Sequence, residues 1–332
     1  MVYIYKKTIG NKTYYYLRAS EVKGKKVMVK DIAYLGSTIE EVKASINNLP
    51  KYREKIRKAY KKIHHFIESN YYLKKTEELK LKKDEFLENS LNEIESCRLH
   101  FNSVFEKQNI ATKNEILRNF IVEFAFNTTS IEGNTIKLQE ARSLLEEGLT
   151  PKNKTLREIY DLQNTEKVFF ALMNEKEDLS HEFIIKIHED LMRNIDARTG
   201  YRISDVRVVK ANFKATPFPY VKTDMDLLLK FHEQSRNRLH PFVLASIFHH
   251  KFEKIHPFMD GNGRTGRILL NYILIKNNYP PLILRKKRRE LYLDSLKEAD
   301  KTELLEISKK KYRKLIAFNA SEMVESYWNI FL

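Results

Sequence analysis

The densest chemistry in the chain is the run His256-Pro257-Phe258-Met259-Asp260-Gly261-Asn262-Gly263-Arg264-Thr265-Gly266-Arg267. It holds three of the chain's nine glycines within six residues, and the apolar run ILLNYILI follows at once as a buried-looking helix. A glycine-rich loop opening a helix is an anion site, because backbone N–H groups point outward and the helix dipole adds partial positive charge. Arg264 and Arg267 lie three apart, share a face of the first turns, and fork readily onto phosphate oxygens. Asp260 supplies an oxygen ligand beside the anion site, where Mg²⁺ bridges substrate phosphates. Asn262 offers an amide donor, and His256 is the obvious general base. The set reads as a site for a nucleoside triphosphate, a divalent metal and a base that deprotonates a nucleophile.

Three known patterns compete for this string. Gly261-x-Gly263-x-x-Gly266 satisfies the literal dinucleotide fingerprint, but that fingerprint follows a β-strand, and the preceding PFVLASIFHHKFEKIH is helical in spacing. A Walker loop, GxxxxGK(S/T), is absent. The whole string resembles the Fic family signature, H-x-F-x-D/E-G-N-G-R-x-x-R, at all eight specified positions. HPFVLASIFHHKFEKIHPF resembles the helix before the family's loop, and IHEDLMRNIDARTGYRISDVRVV (187–209) resembles its helix and the start of its flap. The resemblance covers roughly residues 110–300.

That resemblance implies transfer of AMP from ATP to a Ser, Thr or Tyr hydroxyl of a protein, with Mg²⁺. His256 is then the base, Phe258 the core anchor of the loop and Asp260 the Mg²⁺ ligand. Asn262 and the N–H groups of Gly261 and Gly263 cradle the phosphates, Arg264 neutralises them and Arg267 takes the γ-phosphate. The flap, about Val208–Phe218 and beginning with Val208, Val209 and Lys210, clamps the target segment as an added strand. A relative that phosphorylates its target replaces the second loop glycine with lysine; Gly263 implies the AMP-transferring orientation.

A second string, Thr128-Thr129-Ser130-Ile131-Glu132-Gly133-Asn134, resembles the family's inhibitory pattern S/T-x-x-x-E-G/N through Thr128, Glu132 and Gly133. Its position implies the class whose inhibitory helix precedes the catalytic motif in the same chain. Glu132 would pair with Arg267 and block productive ATP binding, a contact of a few kcal/mol when desolvated. The bland reading is an ordinary Glu at a helix end before glycine. In some relatives the equivalent Glu supports removal of AMP, so a de-AMPylating or dual-acting enzyme is the nearest alternative.

The elements that must position these residues are legible in outline. At 332 residues, about 150 per domain sets an expectation of about two domains. Only 9 Gly and 8 Pro argue for long helices and against a many-stranded β protein. We expect a mainly α fold: a small N-terminal antiparallel β unit (1–37), a helical connector (38–108), a Fic-type helical catalytic core with a β-hairpin flap (109–300), and a C-terminal helix (301–332). The flap signal is the alternation of RISDVRVVKANFKATPFPY (202–220), and Ser37-Thr38 with Glu40 and Glu41 reads as a helix start. Tyr52, Ile56, Tyr60, Ile63 and Phe66 form one helical stripe. With only about 30 residues after the core, the C-terminal DNA-binding module of many relatives is expected to be absent. A single cysteine, Cys97, excludes an internal disulfide framework and a cysteine-built zinc site. With no targeting or membrane-spanning run, the expectation is a cytoplasmic protein.

The net charge of +16 attracts polyanions, and more than half of it lies in the first 110 residues. It reads first as a charged solvated surface. A nucleic-acid-associated regulator working through residues 1–110 is the alternative of a different class. Partners are thus ATP, a protein target (another protein or the chain itself), nucleic acid as a weaker candidate, and no membrane; monomer and homodimer stay open. Tyr14, Tyr15 and Tyr16 suit a structural sheet or base stacking, and Tyr292 suits the core or adenine stacking. His249, His250, Glu253 and His256 look metal-like, but their drift around the helix suits packing better. The basic run Arg285–Arg289 reads mainly as a solvated helix start and secondarily as a nucleic-acid patch.

Overall fold

Alternation of apolar and polar residues in the first 36 positions produces a three-stranded antiparallel sheet in a computed structural model that describes residues 1–24, 26–207 and 214–332. Strands β1 (Val2–Ile9), β2 (Lys12–Lys23) and β3 (Lys26–Gly36) lie in sequential order, with Ile4 opposite Leu17 and Tyr5 opposite Tyr16. Val2, Ile4, Tyr15, Leu17 and Ala19 bury the inner face. They meet Ile39 and Val42 of α1 (Ile39–Asn47) and Ile63 and Ile67 of a later helix. Thr38 caps α1, its hydroxyl accepting from the Glu41 N–H at 3.2 Å, where the sequence placed a helix start.

The expected stripe from Tyr52 to Phe66 packs on the same cluster except at Tyr60. The chain forms α2 (Arg53–Lys58) and α3 (Tyr60–Glu78) with a junction at Ala59, which turns Tyr60 to solvent while Ile63 and Ile67 stay buried. Helix α4 (Leu91–Ser103) then packs on α3.

The remainder is helical: α5 (Ile110–Ile131), α6 (Leu138–Glu147), α7 (Leu156–Leu172), α8 (His181–Leu191), α9 (Val221–Ser235), α10 (Pro241–Ile255), α11 (Asn262–Lys276), α12 (Arg289–Ala299) and α13 (Lys309–Ile330). Helices α10 and α11 are buried on nearly every side and pack on each other, as an all-round apolar helix must. Helix α13 is part of the same core: Tyr312, Leu315, Met323, Tyr327 and Trp328 are buried in it. The sheet with α1 and α3 keeps a separate cluster of its own.

The described flanks of the expected flap, residues 202–207 and 214–217, hold no strand, and Phe218–Tyr220 is one 3-10 turn. Val208, Val209 and Lys210 lie outside the described residues. No helix among the described residues is long and apolar enough to cross a membrane.

Candidate active site

The turn between α10 and α11 holds the run from His256 to Arg267 that the sequence singled out. His256 ends α10 in the left-handed region, at φ 55° and ψ 59°, a conformation a non-glycine residue holds only when its surroundings enforce it. Arg202 enforces it. Its main-chain N–H donates to Pro257 O at 2.9 Å, and its buried guanidinium donates to His256 O at 2.8 Å, to Ser204 O at 3.0 Å and to Thr216 O. One side chain thus ties the base-bearing turn to the described residues on both sides of 208–213. Arg202→Met leaves those carbonyls without a donor and is expected to lower stability by about 3 kcal/mol in urea unfolding. Arg202→Lys should recover only part, because a point charge cannot fork onto three carbonyls.

The His256 ring bonds to Glu253 O through Nδ1 at 3.2 Å. A carbonyl only accepts, so Nδ1 carries the proton and Nε2 keeps the lone pair. Burial, with Arg202 adding to it, moves the imidazole pKa below its ordinary value despite the Glu253 bond. The ring is therefore neutral near pH 7, the form a general base needs.

Phe258 is fully buried and stacks on His188 with centroids 3.7 Å apart. His188 Nε2–H donates to Asp260 O at 3.0 Å, so one histidine holds two points of the loop. Asn262 uses both ends of its amide on Phe258, accepting from its N–H and donating to its carbonyl at 2.9 Å each. Its side chain therefore shapes the loop.

The three glycines separate by role. Gly261 immediately precedes α11 at φ 77°, which favours glycine, and no side chain caps that helix end. At Gly263 a Cβ would stand 2.1 Å from Glu132 Oε1. At Gly266 it would strike Glu253 Oε1 at 2.6 Å and His249 Nδ1 at 2.9 Å, so this glycine serves the close packing of α10 on α11.

Arg264 and Arg267 are both buried beside the start of α11. Arg264 pairs with Asp161 of α7, while its buried Nε has no partner among the described residues. Arg267 donates to Thr128 Oγ1 at 2.6 Å, to Thr128 O at 3.0 Å and to Glu132 Oε1 at 2.7 Å. Thr128 and Glu132 sit in the last turn and C-cap of α5, and Gly133 turns the chain away at φ 111°. Enclosure works against ionisation of Glu132, but the charges of Arg267, Arg264 and Arg289 outweigh it and hold the carboxyl below its usual range. The carboxylate therefore occupies the space above Gly263, at the N-terminal end of α11.

Residues 178–274 match the Fic/DOC family. Over that segment the chain is similar to Fic/DOC domains. It is 29% identical over 216 residues to protein adenylyltransferase fic-1 of Caenorhabditis elegans, an alignment covering 63% of this chain and 42% of that one. It is 32% identical over 194 residues to protein adenylyltransferase Fic of Aedes aegypti, covering 55% and 38%. The chain thus spans about two fifths of the length of these curated relatives. Among solved structures, Fic-1 (residues 134–508) of C. elegans superposes with TM-score 0.60 at 27% identity, over 72% of this chain and 70% of that one. A Fic domain-containing signalling protein of Bacteroides thetaiotaomicron shares the fold, with TM-score 0.65 at 21% identity over 70% and 94%.

Around this turn stand several charged residues that the motifs do not name. Arg157 of α7 pairs with Asp260, and Asp161, one turn on, pairs with Arg264. Their spacing of four on one helix is the only local sign of a shared face. Little in the local sequence marks Arg202: apart from Ser204 O and the Asp205 carboxylate at 3.6 Å, its partners are main-chain carbonyls of other segments. Arg289 donates to Ile131 O at 2.8 Å and so supports the C-terminal end of α5.

Other residues that the sequence singled out lie away from this turn or in the core behind it. The run Arg285–Arg289 is an ion-pair hub rather than a solvated start: Arg285 and Arg288 both bind Glu322 of α13, which is fully buried. Tyr292 is buried, with its hydroxyl 2.6 Å from His249 Nε2, so it belongs to the core and not to an adenine pocket. His250 bonds Tyr312 and Asp300.

Among the described residues no three His, Cys, Asp or Glu side chains gather as a metal cluster. Mg²⁺ does not need one: it typically takes one or two carboxylates and completes its shell with waters and substrate phosphates. Asp260 fits that requirement. Burial raises its pKa, but Arg157, Arg264 and the Gly261 N–H outweigh this and keep it ionised. The uncapped helix end and the unpartnered Arg264 Nε likewise fit a phosphate chain.

Proposed function

We propose that this chain transfers AMP from ATP to a Ser, Thr or Tyr hydroxyl of a protein, and that Glu132 restrains it. One observation carries the reading. A carboxylate oxygen stands over Gly263 between the start of α11 and Arg267, where a phosphate oxygen finds the same partners. The curated relatives named protein adenylyltransferases support the reaction class.

The chemistry follows from the residues. His256 Nε2 takes the proton of the target hydroxyl, whose oxygen forms a bond to the α-phosphorus of ATP. The bond from that phosphorus to the bridging oxygen breaks, and pyrophosphate leaves with the electron pair. Arg264, Arg267 and the N–H groups of α11 neutralise the growing charge and keep the chain in line. Asp260 would hold Mg²⁺, which supplies further neutralisation between phosphates. Displacing Glu132 from Arg267 frees the guanidinium for the γ-phosphate.

The test is transfer of label from ATP marked at the α-phosphate, with ATP marked at the γ-phosphate as control. Labelling only from the α-position, stronger in Glu132→Gly and lost in Glu132→Gly/His256→Ala, is the expected result. Label arriving from the γ-position, or none while ATP still binds, overturns the reading.

Arg157 must release Asp260 before a cation binds there. Its side chain is 55% exposed, so the pair is worth at most about 1 kcal/mol. Arg157→Ala is therefore expected to tighten Mg²⁺ binding by up to about fivefold in calorimetric titration, a small change because the pair is solvated.

A further inference from the structure

We propose that the outer face of the N-terminal sheet binds single-stranded RNA. The sheet register sets Tyr5, Tyr16 and Tyr34 side by side across all three strands, with Tyr16 and Tyr34 ring centroids 5.4 Å apart. Tyr3 and Tyr14 point to the same face by alternation, while Tyr15 alone of its triplet is buried inside. Arg18 lies 3.4 Å over the Tyr5 ring and is held there by Asp31 at 2.6 Å, which extends the platform with a flat guanidinium. Helices α1 and α3 cover only the opposite face.

Charge names the occupant. Residues 1–36 carry eight Lys and Arg against two acids, and both acids face a cation, Asp31 on Arg18 and Glu21 near Lys55. A row of rings in a cationic frame is what a polyanion with unstacked bases recognises. A duplex hides its ring faces, so it leaves this row unused. The aromatic residues of the first 60 positions are all Tyr, although the chain has 19 Phe. Stacking alone needs no hydroxyl; a hydroxyl at the ring edge adds a partner for the ribose 2′-OH.

This surface lies on the separate N-terminal cluster, so the proposal stands or falls independently of AMP transfer. The test is fluorescence anisotropy of the full chain with labelled oligouridylate, the matching deoxy strand and an RNA duplex. Oligouridylate is expected to bind tightest, with affinity falling linearly in log salt. Tyr16→Ala and Tyr34→Ala should each weaken it about tenfold. Lys7→Gln should reduce the salt slope by about 0.7. The conservative pair Tyr16→Phe/Tyr34→Phe keeps the rings and should lose the preference over the deoxy strand without losing binding. No binding at low salt, equal or tighter binding of duplex or deoxy strand, or ring variants without effect in a chain that melts normally would each overturn the proposal.

Discussion

Glu132→Gly is expected to raise AMP transfer about 30-fold at limiting ATP. The carboxylate makes a 2.7 Å charge-assisted bond to a buried guanidinium, a contact worth about 1.5–3 kcal/mol. The glutamate is 44% exposed, which places the restraint toward the lower part of that range. About 2 kcal/mol corresponds to about 30-fold in the competent population. Arg267 stays in place in the variant, because Thr128 holds it through both Oγ1 and the main-chain carbonyl. Glu132→Gln keeps the shape and loses the charge, so its gain should be smaller. ATP affinity measured beside turnover checks the origin: a rise in turnover with no tighter productive ATP binding would contradict a restraint acting at the γ-phosphate.

His256→Ala in the Glu132→Gly background is expected to lose about 10²–10⁴ in turnover, the usual contribution of a positioned base. ATP binding should survive, since no phosphate partner is removed. The unmutated base also sets a pH profile. Its neutral form is the active one, and burial moves its pKa below the ordinary 6.5. Turnover should therefore rise with pH through a value below 6.5 and be flat at neutrality. A limb centred above 6.5 in the Glu132→Gly enzyme would assign proton transfer to another group.

The contrast between α10–α11 and the N-terminal helices explains what was readable. The loop from His256 to Arg267 is short and local, so spacing alone placed a base, a carboxylate, two arginines and a helix start within a few turns. The sheet was readable for the same reason, since alternation and the glycines at Gly10 and Gly24 act between neighbours. The stripe from Tyr52 to Phe66 holds except at Tyr60, because a helical period does not mark the junction at Ala59 that leaves Tyr60 exposed.

Glycine was the subtler case. The sequence set Gly261, Gly263 and Gly266 in one run and gave phosphate contacts to Gly261 and Gly263 but no role to Gly266, which the structure gives to the contact between two helices. Arg285–Arg289 was readable only in part: a helix does begin at Arg289, and Lys286 and Lys287 are exposed. Charge in a row suggested solvent, but Glu322, far along the chain, brings two of those arginines into a half-buried hub.

By itself the sequence determined the helical class, the N-terminal sheet, the loop with its base and anion cradle, and the pairing partner expected of Arg267. The class, the sheet and the loop follow from short-range spacing and residue chemistry that does not depend on the rest of the fold, whereas the partner of Arg267 was implied only by the resemblance to the Fic inhibitory pattern. Only the tertiary structure decided that Arg202 clamps the His256 turn, that Arg157 and Asp161 hold Asp260 and Arg264, and that Glu132 stands over Gly263. Those contacts join residues far apart in the chain, and their partners are often main-chain carbonyls, which every residue carries and no sequence pattern can single out.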